Sequence, residues 1–152
     1  MQMKHTHRGF TLVELMIVVL IASILIGVGL PSYRNYVMRA GRADAKIALL
    51  KIAGSQEKFY LQNGAYASAA QLVVAPPAGL GFLGGMTEHE YYTLTLAPHA
   101  AGLAVGYTAT AAHGGSGKQG TDTTCTSFSI DQNSRRGANG GYVPATVEKC
   151  WR

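Results

Sequence analysis

The pattern of hydrophobic and polar positions divides the chain into three parts. Residues 10–30 are apolar almost throughout, about 21 residues, enough for a helix to cross a bilayer. Glu14 is the one charge in that run, and a carboxylate placed in hydrocarbon is costly unless neutralised or paired. Gly27, Gly29 and Pro31 close the run. Each glycine costs up to about 1 kcal/mol against alanine and the proline removes a helical hydrogen bond, which predicts a kink there. Beyond it, Tyr33, Tyr36/Val37, Ala40, Ala43, Ile47, Leu50, Gly54 and Leu61 recur at spacings of three and four, with one lapse at Glu57/Lys58. That stripe predicts an amphipathic helix packed on a domain, with Arg34, Arg39, Arg42 and Lys46 turned away. Asn63-Gly64 supplies the stop. Unbroken from residue 10 to residue 62, the helix would be about 80 Å long.

The pattern then changes. Residues 63–90 are rich in Gly, Ala and Pro and read as a connecting loop, with Tyr66, Leu72, Phe82 and Leu83 as packing anchors. Strands are predicted over 91–97, 105–111 and 124–131, separated by turn-rich stretches at 113–120 and 133–141. The expected fold is α+β: a long N-terminal helix packed on a small antiparallel sheet of three or four strands. The expected division is a short leader over 1–9, a membrane helix over 10–31 and a head over 32–152 that includes the amphipathic half-helix.

Composition narrows the chemistry. The 152 residues carry a formal charge of +5, with the excess between Arg34 and Lys58 and the C-terminal part near balance. A whole-domain nucleic-acid footprint is therefore not expected. His89, His99 and His113 have no acid or nucleophile spaced for a triad. Glu88-His89-Glu90 reads as a solvated loop, and His5 and His7 have no third ligand near them. The run at 114–118 ends in lysine without the spacing of a phosphate loop. No catalytic, cofactor or metal-binding constellation is expected. Lys118, Arg135, Arg136, Lys149 and Arg152, with Tyr142 and Trp151, could form a DNA face if they converged. Asp122, Asp131 and Glu148 nearly offset them, so scattered solvated charges are the preferred reading. On that reading residues 33–152 bind duplex DNA no better than millimolar at physiological salt.

The segment Gly9-Phe10-Thr11-Leu12-Val13-Glu14 resembles the processing site of type IV prepilins. The resemblance implies cleavage after Gly9 and methylation of Phe10 by a membrane peptidase/methyltransferase. It also implies an inner-membrane anchor before assembly, with the leader cytoplasmic and the head periplasmic. After assembly the subunit would lie in a cell-surface helical filament with other pilin subunits, unwound near Pro31. The charges flanking the span leave its orientation open. An ordinary signal peptide fits less well, because the apolar run is too long and no A-x-A site follows. With the body exported, Cys125 and Cys150 are expected to form one disulfide, stabilising by roughly 3.5 kcal/mol in the chain-entropy model.

Residues 56–60 with 63–66, then 106–108, 122–125 and 150–151, resemble PilE-type minor pilins. Expected functions are pilus assembly and, through it, twitching motility, adhesion or DNA uptake. Glu14 is expected to act in filament assembly. The alternatives are a type II secretion pseudopilin, against which the cysteine pair speaks, and a competence-type DNA-binding pilin.

Overall fold

The computed structural model describes residues 10–115 and 119–152. The leader, including Gly9, and Lys118 lie outside the described residues. The chain forms two compact units that divide between Val37 and Met38. Helix α1, Leu12–Asn63, contributes to both.

In the first unit, Thr11 Oγ1 accepts the Glu14 backbone N–H at 3.2 Å, the capping bond a helix N-terminus requires. The apolar side chains that follow are exposed, Val13, Leu15, Ile17 and Leu25 among them. The most apolar 18-residue stretch has a mean hydropathy of 2.7, so the helix is long and apolar enough to cross a membrane. Helical backbone runs through Gly27, Gly29 and Pro31. The unwinding expected there on assembly is not a feature of the isolated chain.

The second unit packs the rest of α1 on a four-stranded antiparallel sheet, in the order β1 (Thr93–Pro98), β2 (Tyr107–Ala112), β3 (Ser127–Asp131), β4 (Arg136–Ala138). Strand alternation turns Leu94, Leu96, Tyr107, Ala109, Ala111, Phe128 and Ile130 inward, where they meet Ala45, Leu49, Ile52 and Phe59 of α1 in one core. The buried stripe of the helix therefore differs from the predicted one. Ile47, Leu50 and Leu61 are 52%, 49% and 84% exposed, whereas Gly41, Ala45, Ala48 and Gln56 are buried. The helix approaches the sheet across small side chains, which a search for large apolar residues passes over. A Cβ on Gly41 would overlap the Gln119 side-chain amide, so the absence of a side chain there permits the close approach.

The loop after α1 is fastened by Gln56, whose side chain accepts the Ala67 N–H at 2.8 Å and donates to the Ala67 carbonyl at 3.1 Å. Two 3₁₀ turns follow, at Ala70–Val73 and Leu83–Gly85. Leu72 is buried, and Tyr66 and Phe82 pack against the core as anticipated. Leu83 does not, at 76% exposed, because the turn it begins rides on the surface. Two elements were not anticipated: β4, inside the stretch read as turn, and helix α2 (Pro144–Trp151), which starts with proline in its first turn. A disulfide joins Cys125 to Cys150 of α2, with Cα atoms 5.7 Å apart.

Candidate functional site

Glu14 sits in the first turn of α1, exposed, four residues after Phe10, itself 81% exposed. A carboxylate at a helix N-terminus is favoured by the helix dipole in water. In a dry, helix-packed surrounding it would need a cation.

In the second unit, the segment leading to Cys125 is tied to α1 by buried polar groups. Arg42 Nε donates to Asp122 Oδ2 at 2.6 Å and Arg42 Nη2 donates to Oδ1 at 2.8 Å. The same carboxylate accepts the backbone N–H groups of Thr124 and Cys125, each at 3.1 Å. Gln119 Nε2 donates to the Met38 carbonyl at 2.8 Å. Burial alone would push the Asp122 carboxyl up. The Arg42 hydrogen bonds and the backbone donors outweigh it and hold the group below the ordinary carboxylate range. Arg42 is thus not an outward charge as predicted, and neither is Lys46. Lys46 Nζ donates to the carbonyls of Trp151 and Arg152 at 3.5 and 2.9 Å, where a cation satisfies the end of α2. Burial, with Arg42 and Arg136 nearby, lowers its pKa.

Of the basic residues singled out in the sequence, Arg135 and Arg136 do not share a face. Arg136 pairs in register with buried Ile130, and its guanidinium carbon lies 5.0 Å from the Trp151 ring centroid. Trp151 packs edge-on to Phe128 and donates its indole N–H to the Gly137 carbonyl at 2.8 Å, so it is a packing residue. Arg135 instead lies 3.7 Å over the ring of Tyr142. The Tyr142 ring edge sits beside Gly137 together with Ser129 Oγ, on the face turned away from the core. The two arginines, adjacent in sequence, therefore serve opposite faces of the sheet. Arg152 is engaged by Glu148 one turn back on α2.

The histidines are separately occupied. His89 Nδ1 is 3.1 Å from Asp44 Oδ1, His113 Nε2 is 3.0 Å from the Asp122 carbonyl, and His99 Nδ1 accepts the Ala101 N–H at 3.2 Å. Among the described residues no cluster of three His, Cys, Asp or Glu side chains could hold a metal ion.

With this geometry in place, comparison with known proteins is informative. Residues 31–129 match the family described as type IV minor pilin ComP, DNA uptake sequence receptor. Residues 4–30 match the prokaryotic N-terminal methylation motif. The chain is 37% identical over 76 residues to the type IV major pilin protein PilE1 of Neisseria gonorrhoeae, covering 50% of this chain and 36% of that one. It is 35% identical over 74 residues to the type IV major pilin protein PilA of Myxococcus xanthus, covering 48% and 34%. The chain thus spans about a third of the length of these two relatives. A solved type IV pilin from Shewanella oneidensis is 26% identical, with 76% of this chain and 98% of that one aligned at a TM-score of 0.48. The family match over 31–129, with the methylation motif before it, shows that this chain belongs to the type IV minor pilin ComP family.

Proposed function

We propose that the protein is a minor subunit that presents a receptor for double-stranded DNA on the type IV pilus. The observation that carries this reading is the match to the DNA uptake receptor family, which extends into β3. The structural and receptor roles are compatible, because a subunit held through its N-terminal helix leaves its C-terminal unit to meet ligand. Charge balance alone favours scaffolding, and the family match supports a receptor role beside it. Lys118, Arg135, Arg136, Lys149 and Arg152 remain the candidate contacts, with Arg135 and Arg136 on different faces.

Titrating the full chain in detergent micelles with short duplexes at two ionic strengths tests the receptor role. Micromolar binding that weakens as salt rises, with a slope tracking the number of phosphate contacts, is the expected result. Affinity no better than millimolar at physiological salt would return the chain to a purely structural role.

On the same reading the leader stays cytoplasmic, a prepilin peptidase cuts between Gly9 and Phe10, and the C-terminal unit faces the periplasm before assembly. In the filament Glu14 pairs with a Phe10 amine, its own or a neighbour's. Glu14→Ala should leave cleavage intact and lower the subunit's share in sheared filaments by on the order of tenfold or more. Immunoblots of filament and membrane fractions read both quantities. Wild-type incorporation of the variant would remove the proposed role.

A further inference from the structure

We infer that the outward face of the sheet is the surface on which the DNA backbone lies, an inference that rests on the receptor reading. The strand sequences Thr93-Leu94-Thr95, Thr108-Ala109-Thr110 and Ser127-Phe128-Ser129 each place two hydroxyl residues around one buried residue. Antiparallel register then puts Thr95 opposite Thr110 and Thr110 opposite Ser129, making a row across three strands. Neighbouring strands lie about 4.8 Å apart and same-face residues about 7 Å apart along a strand, so the six hydroxyls form a shallow grid.

Three features make this grid a contact surface. None of the six side-chain hydroxyls has a hydrogen-bond partner among the described residues, so each keeps a donor for a ligand. Strand formation explains threonine at these positions but gives no reason for serine at 127 and 129. The row also ends at a built edge: Ser129 faces Gly137, a Cβ on which would overlap the serine hydroxyl, and the Tyr142 ring stands beside them. The guanidinium carbon of Arg135 lies 3.7 Å from the centroid of that ring, and a guanidinium held over an aromatic ring can still donate N–H groups to phosphate oxygens.

The acid of this face, Asp131, stands opposite Thr108 at its margin and keeps its charge. Asp131 Oδ1 accepts the backbone N–H groups of Asn133 and Arg135, each at 2.9 Å. Serine and threonine hydroxyls with an arginine are ordinary donors to phosphate and sugar oxygens, and they fix a duplex without reading its sequence. Small side chains keep the floor low enough for a backbone to lie along it. The Arg136 side offers less, because Lys46 is committed to the end of α2 and Arg42 to Asp122.

The test uses the full chain in micelles and a duplex of arbitrary sequence, read by fluorescence anisotropy across salt. The variant Thr95→Val/Thr110→Val/Ser129→Ala removes three hydroxyls while keeping shape, and its thermal unfolding should match wild type. Its affinity should fall on the order of tenfold or more with the salt slope unchanged, since no charge is lost. Arg135→Gln should weaken binding and lower the slope by about 1. Wild-type affinity in the folded triple variant, with binding lost in Arg136→Gln, would overturn the inference and place DNA on the other face. Absence of binding by the wild-type chain would sink the receptor reading itself, and this face's assignment with it.

Discussion

Arg42→Ala is expected to destabilise the C-terminal unit by about 3–5 kcal/mol at neutral pH. The reason lies in which charge stays behind. The Asp122 side chain is 1% exposed and Arg42 19%, so removing the arginine strands a carboxylate with only two backbone donors. Asp122→Ala should cost less at the ionic level, because the freed guanidinium can turn toward water. It also removes the acceptor for the Thr124 and Cys125 N–H groups, so the double variant should not recover wild-type stability. Chemical denaturation of the single and double variants, analysed as a cycle, separates these contributions.

The sign of the pH dependence follows. The folded Asp122 carboxyl lies below its ordinary value of 3.8, so its stabilising contribution is complete above that value. It is lost as pH falls through the folded pKa. Wild-type stability should therefore decline below about pH 4, and Arg42→Ala should show a shallower decline over that window.

Cys125→Ser is expected to cost about 2–5 kcal/mol. The bond closes a loop with a sequence separation of 25 and holds Cys150, on α2, against the residues that follow Asp122. Without it, α2 keeps the Trp151 indole bond to Gly137, the Phe128 contact and the Lys46 cap. An eight-residue helix has little stability of its own. Unfolding midpoints of the oxidised and reduced chain, beside the Cys125→Ser variant, measure the loss. Equal midpoints would show that the packing alone retains α2.

What could be read in advance follows a physical division. The apolar helix was legible because membrane crossing imposes length and composition, and both are local. The first three strands were legible from alternating β-branched and aromatic residues, to within a few residues at their starts. The inward face of α1 was not, because burial of Gly41 depends on Gln119, and burial of Gln56 depends on Ala67. These partners lie in loops whose course the pattern does not state. Strand β4 is Arg-Gly-Ala, with no strand former in it; pairing with β3 makes it a strand. The role of Asp122 was hidden for the same reason, since its partner is 80 residues away. Arg135 and Arg136 are neighbours in sequence, but strand geometry sends one toward Tyr142 and the other toward Trp151, a separation that no pattern of charges along the chain states.

The central claim is that this chain enters a pilus through a processed N-terminus, with α1 as its means of assembly. The intact mass of the protein recovered from sheared filaments tests it most directly. The account predicts a mature form that begins at Phe10 and carries a methyl group on that amine. Filaments that contain the chain with Met1 retained, or with its N-terminus beyond residue 31, would contradict it.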